Sequence, residues 1–294
     1  MKQERRNTYQ VITDAILTAL ENCGGWQRPW INRATNALPT NEVTGSTYSG
    51  SNIVMCWVTA MERGYTQQRW ATFKQWDSKG ATVRKGEKGT PIVFFSRVDR
   101  KDEGDDSNVR SIPYARLSWV FNIDQVDGYT PPEIEEAVDT INPLERADQV
   151  IAGTGATIVH GGDRACYIPS VDRIHMPDRE SFVGTPTSTA TESYYGTLLH
   201  ELTHWTGPRL KREFGKRFGD AAYAAEELVA ELGAAFLCAE LGVTATPRED
   251  HASYLASWLK LLRDDNRAFM TAASAASAAV EFILAGQAEK QEAA

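Results

Sequence analysis

The chain has 294 residues, of which 42% are hydrophobic and 24% are charged. This composition is typical of a soluble globular protein, and it excludes a wholly disordered chain, a collagen-like chain and a disulfide-dense scaffold. The purely apolar runs fall short of the roughly 18–20 residues that a membrane span requires, and no apolar segment follows the first ten residues. The four cysteines are scattered and form no CxxC pair. We therefore expect a reduced, cytoplasmic protein with no membrane partner and no secretory signal.

The net charge of −8 is unevenly distributed between the two halves of the chain. Residues 1–130 carry a balance of +3 and six of the eight tryptophans, whereas residues 131–294 carry a balance of −11. A mildly basic, tryptophan-rich half joined to an acidic half predicts two domains with different tasks. Because the distribution of charge matters more than its total, the overall acidity does not exclude binding of nucleic acid.

The first half reads as a small α+β domain over residues 1–130. Apolar spacing predicts helices over residues 4–22, 51–62 and 66–77, and the last of these would carry Trp70, Phe73 and Trp76 on one face. The remaining segments, in chain order, are a Gly- and Lys-rich loop at 79–90, a strand at 91–95, a polar hairpin loop at 99–110 and a return strand at 112–123. The two strands predict a small antiparallel sheet.

A proline-rich, acidic segment at 131–143 predicts a linker, followed by a second α+β domain over residues 144–294. This domain is expected to begin with a helix at about 144–155 and to continue with three short strands within 156–183. Three helices are then predicted, at about 190–206, at about 220–241 and from 246 to about 285.

The strongest chemical signal is the HExxH motif of His200, Glu201 and His204. Residues four apart share one face of a helix, so both imidazoles can reach the same metal ion. A Zn²⁺ held by three protein ligands keeps a position for water and lowers the pKa of that water to about 7. Glu201 would then take a proton from the water as it attacks a carbonyl and deliver it to the leaving amine.

HExxH supplies two ligands, and a third must come from elsewhere in the chain. Glu227 and Glu231 lie four residues apart in a helix that is otherwise mostly apolar. Glu227 is a candidate for the third ligand, and Glu231 is a candidate acceptor for the outward N–H of a ligand histidine. Glu226 is either a surface residue or an alternative ligand, and His251 is a weaker alternative.

The segments HELTHWTG, RLKREFG and YAAEELVAELGAAFL resemble the zincin-like metallopeptidase domain of ArdC-type antirestriction proteins, which are carried on conjugative plasmids. The resemblance implies His200, His204 and Glu227 as metal ligands and Glu201 as general base. It favours Zn²⁺, although this ligand set also accepts Mn²⁺ or Co²⁺. The donor that would stabilise the transition state stays open among four side chains: Tyr167, His175, Tyr194 and Tyr223.

Cations and aromatic residues in the first half suit non-specific binding of single-stranded DNA, because cations follow the phosphates while aromatic rings stack on bases. One group of candidates comprises Lys74, Trp76, Arg84, Lys85 and Lys88, and a second comprises Trp26, Arg28 and Trp30. The spacing of Trp76 with Trp70 and Phe73 also suits a core position.

The segments GGWQRPW, GSTYSGSNIVM, RWATFKQWDSKGATVRKGEKGTPIVFF and LSWVFNIDQVDG are similar to the N-terminal domain of the same family, which resembles a single-stranded-DNA-binding module. Together the two resemblances cover nearly the whole chain. They imply a plasmid antirestriction protein that binds single-stranded DNA during conjugation and carries a zinc protease site. The protein partner would be a substrate or a restriction component. The alternatives are a DNA-binding protein whose metal site is structural or vestigial, a protease acting on DNA-bound proteins, and a free-standing cytosolic peptidase with no role in nucleic-acid binding.

Overall fold

The computed structural model describes residues 7–22, 37–102, 105–131, 143–183, 189–214, 220–243 and 252–292. It has a two-domain α+β architecture, as predicted. The predicted linker at 131–143 lies almost wholly outside the described residues, so the predicted domain boundaries stay predictions.

The N-terminal half combines helices with a four-stranded sheet and a two-stranded sheet. Its elements are α1 (Thr8–Asn22), β1 (Thr40–Asn41), α2 (Ser51–Arg63), β2 (Arg69–Thr72), α3 (Phe73–Ser78), β3 (Thr82–Val83), β4 (Thr90–Asp102), β5 (Asp105–Asn122) and β6 (Val126–Asp127). The larger sheet has the strand order β1-β2-β5-β4, and β3 pairs with β6 in the smaller one.

Two predictions for this half are wrong. The segment 66–77 is not one helix, because Trp70 lies on strand β2 and only Phe73 and Trp76 lie on α3, which begins at a capping box formed by Thr72 and Gln75. The polar segment 99–110 is not a loop, because β4 and β5 stay paired as far as Lys101 and Val109. Backbone hydrogen bonds between strands hold this long hairpin together, and side-chain polarity carries no signal for them.

The C-terminal half places helices around a three-stranded sheet. Its elements are α4 (Pro143–Thr154), β7 (Thr157–His160), β8 (Cys166–Ile168), β9 (Arg173–Met176), α5 (Ala190–Trp205), α6 (Ala221–Leu241), α7 (Ala252–Asp264) and α8 (Ala268–Glu292). The strand order is β7-β9-β8, which leaves β8 at an edge. The single long helix predicted after residue 246 is wrong, because the chain breaks into α7 and α8 at residues 265–267.

One continuous hydrophobic core joins the two halves. Trp57 of α2 packs edge-on against Phe236 of α6, with ring centroids 5.8 Å apart. The hydroxyl of Thr13 on α1 donates a hydrogen bond of 2.8 Å to the carbonyl of Asn266, between α7 and α8. The halves are therefore packed against each other.

Of the described residues, one stretch, Ala268–Gly286 of α8, has the length and hydropathy of a membrane span, and 44% of its most apolar part is buried within the protein. Phe269, Ala273 and Ile283 on this helix are fully buried, and α8 packs against α4 and α6. The buried side of α8 therefore belongs to the hydrophobic core.

Candidate metal centre

The HExxH motif lies in the last two turns of α5, which begins at a capping box formed by Thr189 and Glu192. His200, Glu201 and His204 are each more than nine-tenths buried. The helix ends at Trp205, and Thr206 separates it from Gly207, close to the predicted end. The motif therefore sits in a rigid, buried segment of helix.

Helix α6 brings its acidic residues to this motif because the two helices approach very closely. A Cβ atom placed on Gly233 of α6 would lie 2.5 Å from Cγ2 of Thr203 on α5, a separation that only glycine allows. Asp220 fixes the start of α6, where its side chain accepts a hydrogen bond from the backbone N–H of Tyr223. The glycine contact sets the depth at which the α6 carboxylates face the histidines.

Three side chains from the two helices converge as a candidate metal site. His200, His204 and Glu227 each offer one donor atom, and these atoms lie within 4.8 Å of one another. The Glu227 oxygens lie 3.6 Å from Nε2 of each histidine, and the two Nε2 atoms lie 3.2 Å apart. Two imidazoles and one carboxylate form the donor set of catalytic zinc sites, so these residues fit a divalent ion. The predicted ligands are thus brought together, and His251 lies outside the described residues.

Each histidine also faces a second carboxylate through its other ring nitrogen. Nδ1 of His200 lies 3.0 Å from Oε1 of Glu231, where the sequence places an acceptor for a ligand histidine. Nδ1 of His204 is hydrogen-bonded to Oε1 of Glu226 at 3.1 Å. Because an ionised carboxylate only accepts hydrogen bonds, Nδ1 of His204 carries the hydrogen and Nε2 keeps its lone pair for a metal.

The role of Glu226 differs from both of the predictions for it. Its side chain is buried, so it is not a surface residue, and its carboxylate is occupied by His204 and Arg212, so it is not the third ligand. Burial by itself would raise the pKa of Glu226, but hydrogen bonds from His204 and Arg212 outweigh it and hold the pKa below its ordinary value. Glu226 therefore stays ionised beside the metal ligand.

Arg212 is the residue that sequence reasoning missed. Its guanidinium binds Glu226 through two hydrogen bonds of 3.0 and 2.9 Å and also donates to the backbone carbonyl of Thr203 and the hydroxyl of Thr206. It thus ties Glu226 to the C-terminal end of α5. No spacing rule marks this arginine, because it reaches the site from the loop between α5 and α6.

Glu201 is held by strand β8. The backbone N–H of Tyr167 donates a hydrogen bond of 2.9 Å to Oε2 of Glu201. This contact orients the carboxylate. The role of Glu201 as general base stays a prediction.

The structure also sorts the candidate donors for a transition state. The hydroxyl of Tyr167 is bonded to Asp172, and that of Tyr194 to His160. Burial raises the pKa of Glu227, but His200, His204 and the nearby Tyr223 outweigh it and hold that pKa below its ordinary value. Of the three tyrosines, Tyr223 is the one that reaches a candidate ligand.

The predicted DNA-binding residues differ in whether their side chains are exposed to solvent. Trp26, Arg28 and Trp30 lie outside the described residues. The next group includes three exposed side chains: Lys74, Lys85 and Lys88. Arg84 is engaged within the protein, where its guanidinium pairs with Glu87 and Asp127 and donates to the carbonyl of Asp124.

The prediction that Trp76 binds DNA is wrong. Its side chain is fully buried, and its indole N–H donates to the carbonyl of Phe121 at 2.9 Å. Neither face of the ring is available to a base. The sequence could not separate a stacking ring from a core ring, because burial depends on how the sheet packs on α3.

Comparison with known proteins agrees with both halves of this architecture. Residues 6–121 match the family model of the N-terminal domain of the anti-restriction factor ArdC, and residues 145–275 match that of a zincin-like metallopeptidase. The chain is 38% identical to the antirestriction protein ArdC of plasmid R388 in its metal-free crystal structure, with a TM-score of 0.79 over 96% of this chain and 98% of that one. The chain belongs to the ArdC antirestriction family. The Mn(II)-bound structure of the R388 protein is similar too, at 36% identity and a TM-score of 0.78.

Two further relatives differ in how much of their own length the chain spans. An uncharacterised protein, y4eC, of Sinorhizobium fredii (strain NBRC 101917 / NGR234) is 38% identical over 98% of this chain and 95% of its own length. A DNA primase TraC of Escherichia coli is 35% identical over 97% of this chain, but the chain spans only 28% of that primase. The zincin-like domain together with the clustered donors supports a divalent metal site in this family member.

Proposed function

We propose that this protein is a plasmid antirestriction factor that binds single-stranded DNA and hydrolyses peptide bonds with a zinc ion, in the cytoplasm of the cell that receives the DNA. The observation that carries the enzymatic part is the convergence of His200, His204 and Glu227 beside a Glu201 carboxylate held by a backbone N–H. A buried cluster of this kind suits catalysis, because three protein ligands leave a coordination position for a reactant.

When bound, the ion would supply a polarised water and a Lewis acid for the scissile carbonyl. The residues of the chain would transfer the proton and hold the reacting groups in position. Glu201 would take the proton released by the attacking water and pass it to the amine that leaves. The Tyr167 N–H would hold Glu201 in place throughout.

The substrate we propose is an extended segment of a protein that lies close to the incoming DNA. Strand β8 is an edge strand, and its Tyr167 contacts Glu201 directly. An extended peptide can add to such an edge by main-chain hydrogen bonds, which would place its backbone beside the general base. A component of the restriction system is the substrate class that fits an antirestriction role.

The DNA-binding part of the proposal is supported by the N-terminal family match and by the TraC relatives, whose name is that of a DNA primase. The basic balance of residues 1–130 is compatible with a polyanion. The proposal that both activities serve one role rests on the continuous core that joins the two halves.

The test is the Glu201→Gln variant, with the exposed Glu213→Gln as its matched control. We expect Glu201→Gln to bind zinc and single-stranded DNA as the wild type does, but to lose proteolysis by at least a hundredfold, in line with loss of a general base. Protection of incoming plasmid DNA is then measured in conjugation into a restricting host. Undiminished protection by Glu201→Gln would assign antirestriction to DNA binding alone.

A further inference from the structure

Three large aromatic side chains on β4, on β5 and at the start of the neighbouring α3 are exposed to solvent. Phe73 is 56% exposed, Phe95 65% and Trp119 52%. Burial of such rings is a strong driving force in folding, so exposed ones in one region mark a binding surface. We call the surface formed by Phe73, Phe95, Trp119 and Phe121 the aromatic face.

Strand register places the rings of the hairpin on the same side of the sheet. Side chains alternate along a strand, so Trp119 and Phe121 share a side, and Ala115, which lies opposite Phe95, shares it too. Phe73 at the start of α3 packs edge-on against Phe121, with centroids 6.3 Å apart. Phe73, Phe121 and Trp119 therefore lie close together, and Phe95 lies on the same side farther along the hairpin, beyond the buried Val93.

The other side of the sheet is occupied by the core. Val120 and Ile92, which alternate with the residues of the aromatic face, are fully buried. At the level of Trp119 the aromatic face therefore lies opposite the core. Gly89 keeps it flat, because a Cβ there would lie 2.9 Å from Cβ of Trp119 and 3.2 Å from the ring of Phe121.

Two lysines are sequence neighbours of residues at the aromatic face. Lys74 follows Phe73 on α3 and is exposed, and the exposed Lys88 precedes Gly89, which packs against Trp119. Aromatic rings with neighbouring ammonium groups are the combination that binds single strands, since the rings stack on bases and the cations pair with phosphates. A protein partner would gain nothing specific from these lysines unless it were acidic.

We propose that the aromatic face is the surface on which single-stranded DNA stacks, with Trp119 and Phe73 as the principal stacking residues. This inference rests on the proposed function, because it assigns a location to the DNA binding proposed there. It also explains a preference for single strands: the bases of a duplex are stacked on each other and present no free face to these rings.

The experiment measures the affinity of the full-length protein for a fluorescein-labelled oligothymidylate of about 20 nucleotides. The variants are Trp119→Ala, Phe73→Ala and Trp119→Phe. The matched control is Tyr114→Ala, which removes a ring of 40% exposure from the opposite side of the same hairpin. Circular dichroism and thermal melting confirm that each variant is folded.

We expect Trp119→Ala and Phe73→Ala each to weaken binding about tenfold, as loss of one stacked base requires. Trp119→Phe should retain most of the affinity, and Tyr114→Ala should stay within about twofold of the wild type. If the wild type binds the oligonucleotide while Trp119→Ala and Phe73→Ala bind it equally well, the aromatic face is not the DNA surface. The same holds if these variants alter only self-association in sedimentation. If the wild type itself fails to bind, the proposed function fails first.

Discussion

Glu226 and His204 form a buried pair in which Nδ1 of the histidine is 3.1 Å from Oε1 of the carboxylate. Arg212 binds both oxygens of the same carboxylate, so the histidine is oriented by a chain of two charged groups. Carboxylates in this position fix the tautomer and ring orientation of a metal-ligating histidine. The pair therefore couples metal affinity to a loop residue that does not reach the metal.

We predict that Glu226→Gln lowers metal affinity about 10- to 100-fold, because the amide holds His204 less firmly and leaves Arg212 without its anion. Competition with a chromophoric chelator measures the affinity. The control is Glu240→Gln. Glu240 lies on α6, as Glu226 does, and its partly exposed side chain pairs with Arg146 of α4. Its affinity should match the wild type, and an equal loss in both variants would argue against a specific role for Glu226.

Gly233→Ala should destabilise the protein by about 1–3 kcal/mol, although alanine is the better helix former by about 1 kcal/mol. The new Cβ would collide with Thr203 and push α6 away from the HExxH helix. Urea denaturation measures the change. Gly196→Ala on α5 is the matched control, since a Cβ there meets no atom within 4 Å. That variant should be unchanged or slightly more stable, and similar destabilisation of both would rule out the proposed clash.

Added zinc should raise the melting temperature by several degrees. At a free concentration of 100 times Kd, binding stabilises the folded state by about 2.7 kcal/mol. Glu227→Ala should abolish most of the shift because it removes a candidate ligand. His175→Ala alters a histidine outside the cluster and should keep the shift. A full shift in Glu227→Ala would place the third ligand elsewhere.

Truncation of Trp76 should lower the free energy of unfolding much more than truncation of Phe73, although both residues lie on α3. Trp76→Ala empties a buried site and should cost about 3–5 kcal/mol of stability. Phe73→Ala removes a half-exposed ring whose edge contact with Phe121 contributes about 1 kcal/mol or less. Comparison of the two unfolding curves checks the assignment, and equal losses would contradict it.

Features that depend on local spacing could be predicted from the amino-acid sequence alone. His200 and His204 share a helix face because they are four residues apart, and the helix ends before Gly207 as the glycine indicates. The choice of Glu227 as third ligand came from its place on a second helix and from the family resemblance. In the structure, a carboxylate oxygen of Glu227 lies within 4.8 Å of the ring nitrogens of both histidines.

Features that depend on contacts between distant segments could not be predicted without the three-dimensional structure. Adjacent residues on a helix point about 100° apart, so Glu226 and Glu227 serve His204 differently, and only the packing of α6 on α5 shows which one faces Nδ1. Likewise, Trp76 and Trp119 are both tryptophans of the basic half. One is buried and the other exposed because the sheet covers α3 on one side and leaves the hairpin open to solvent.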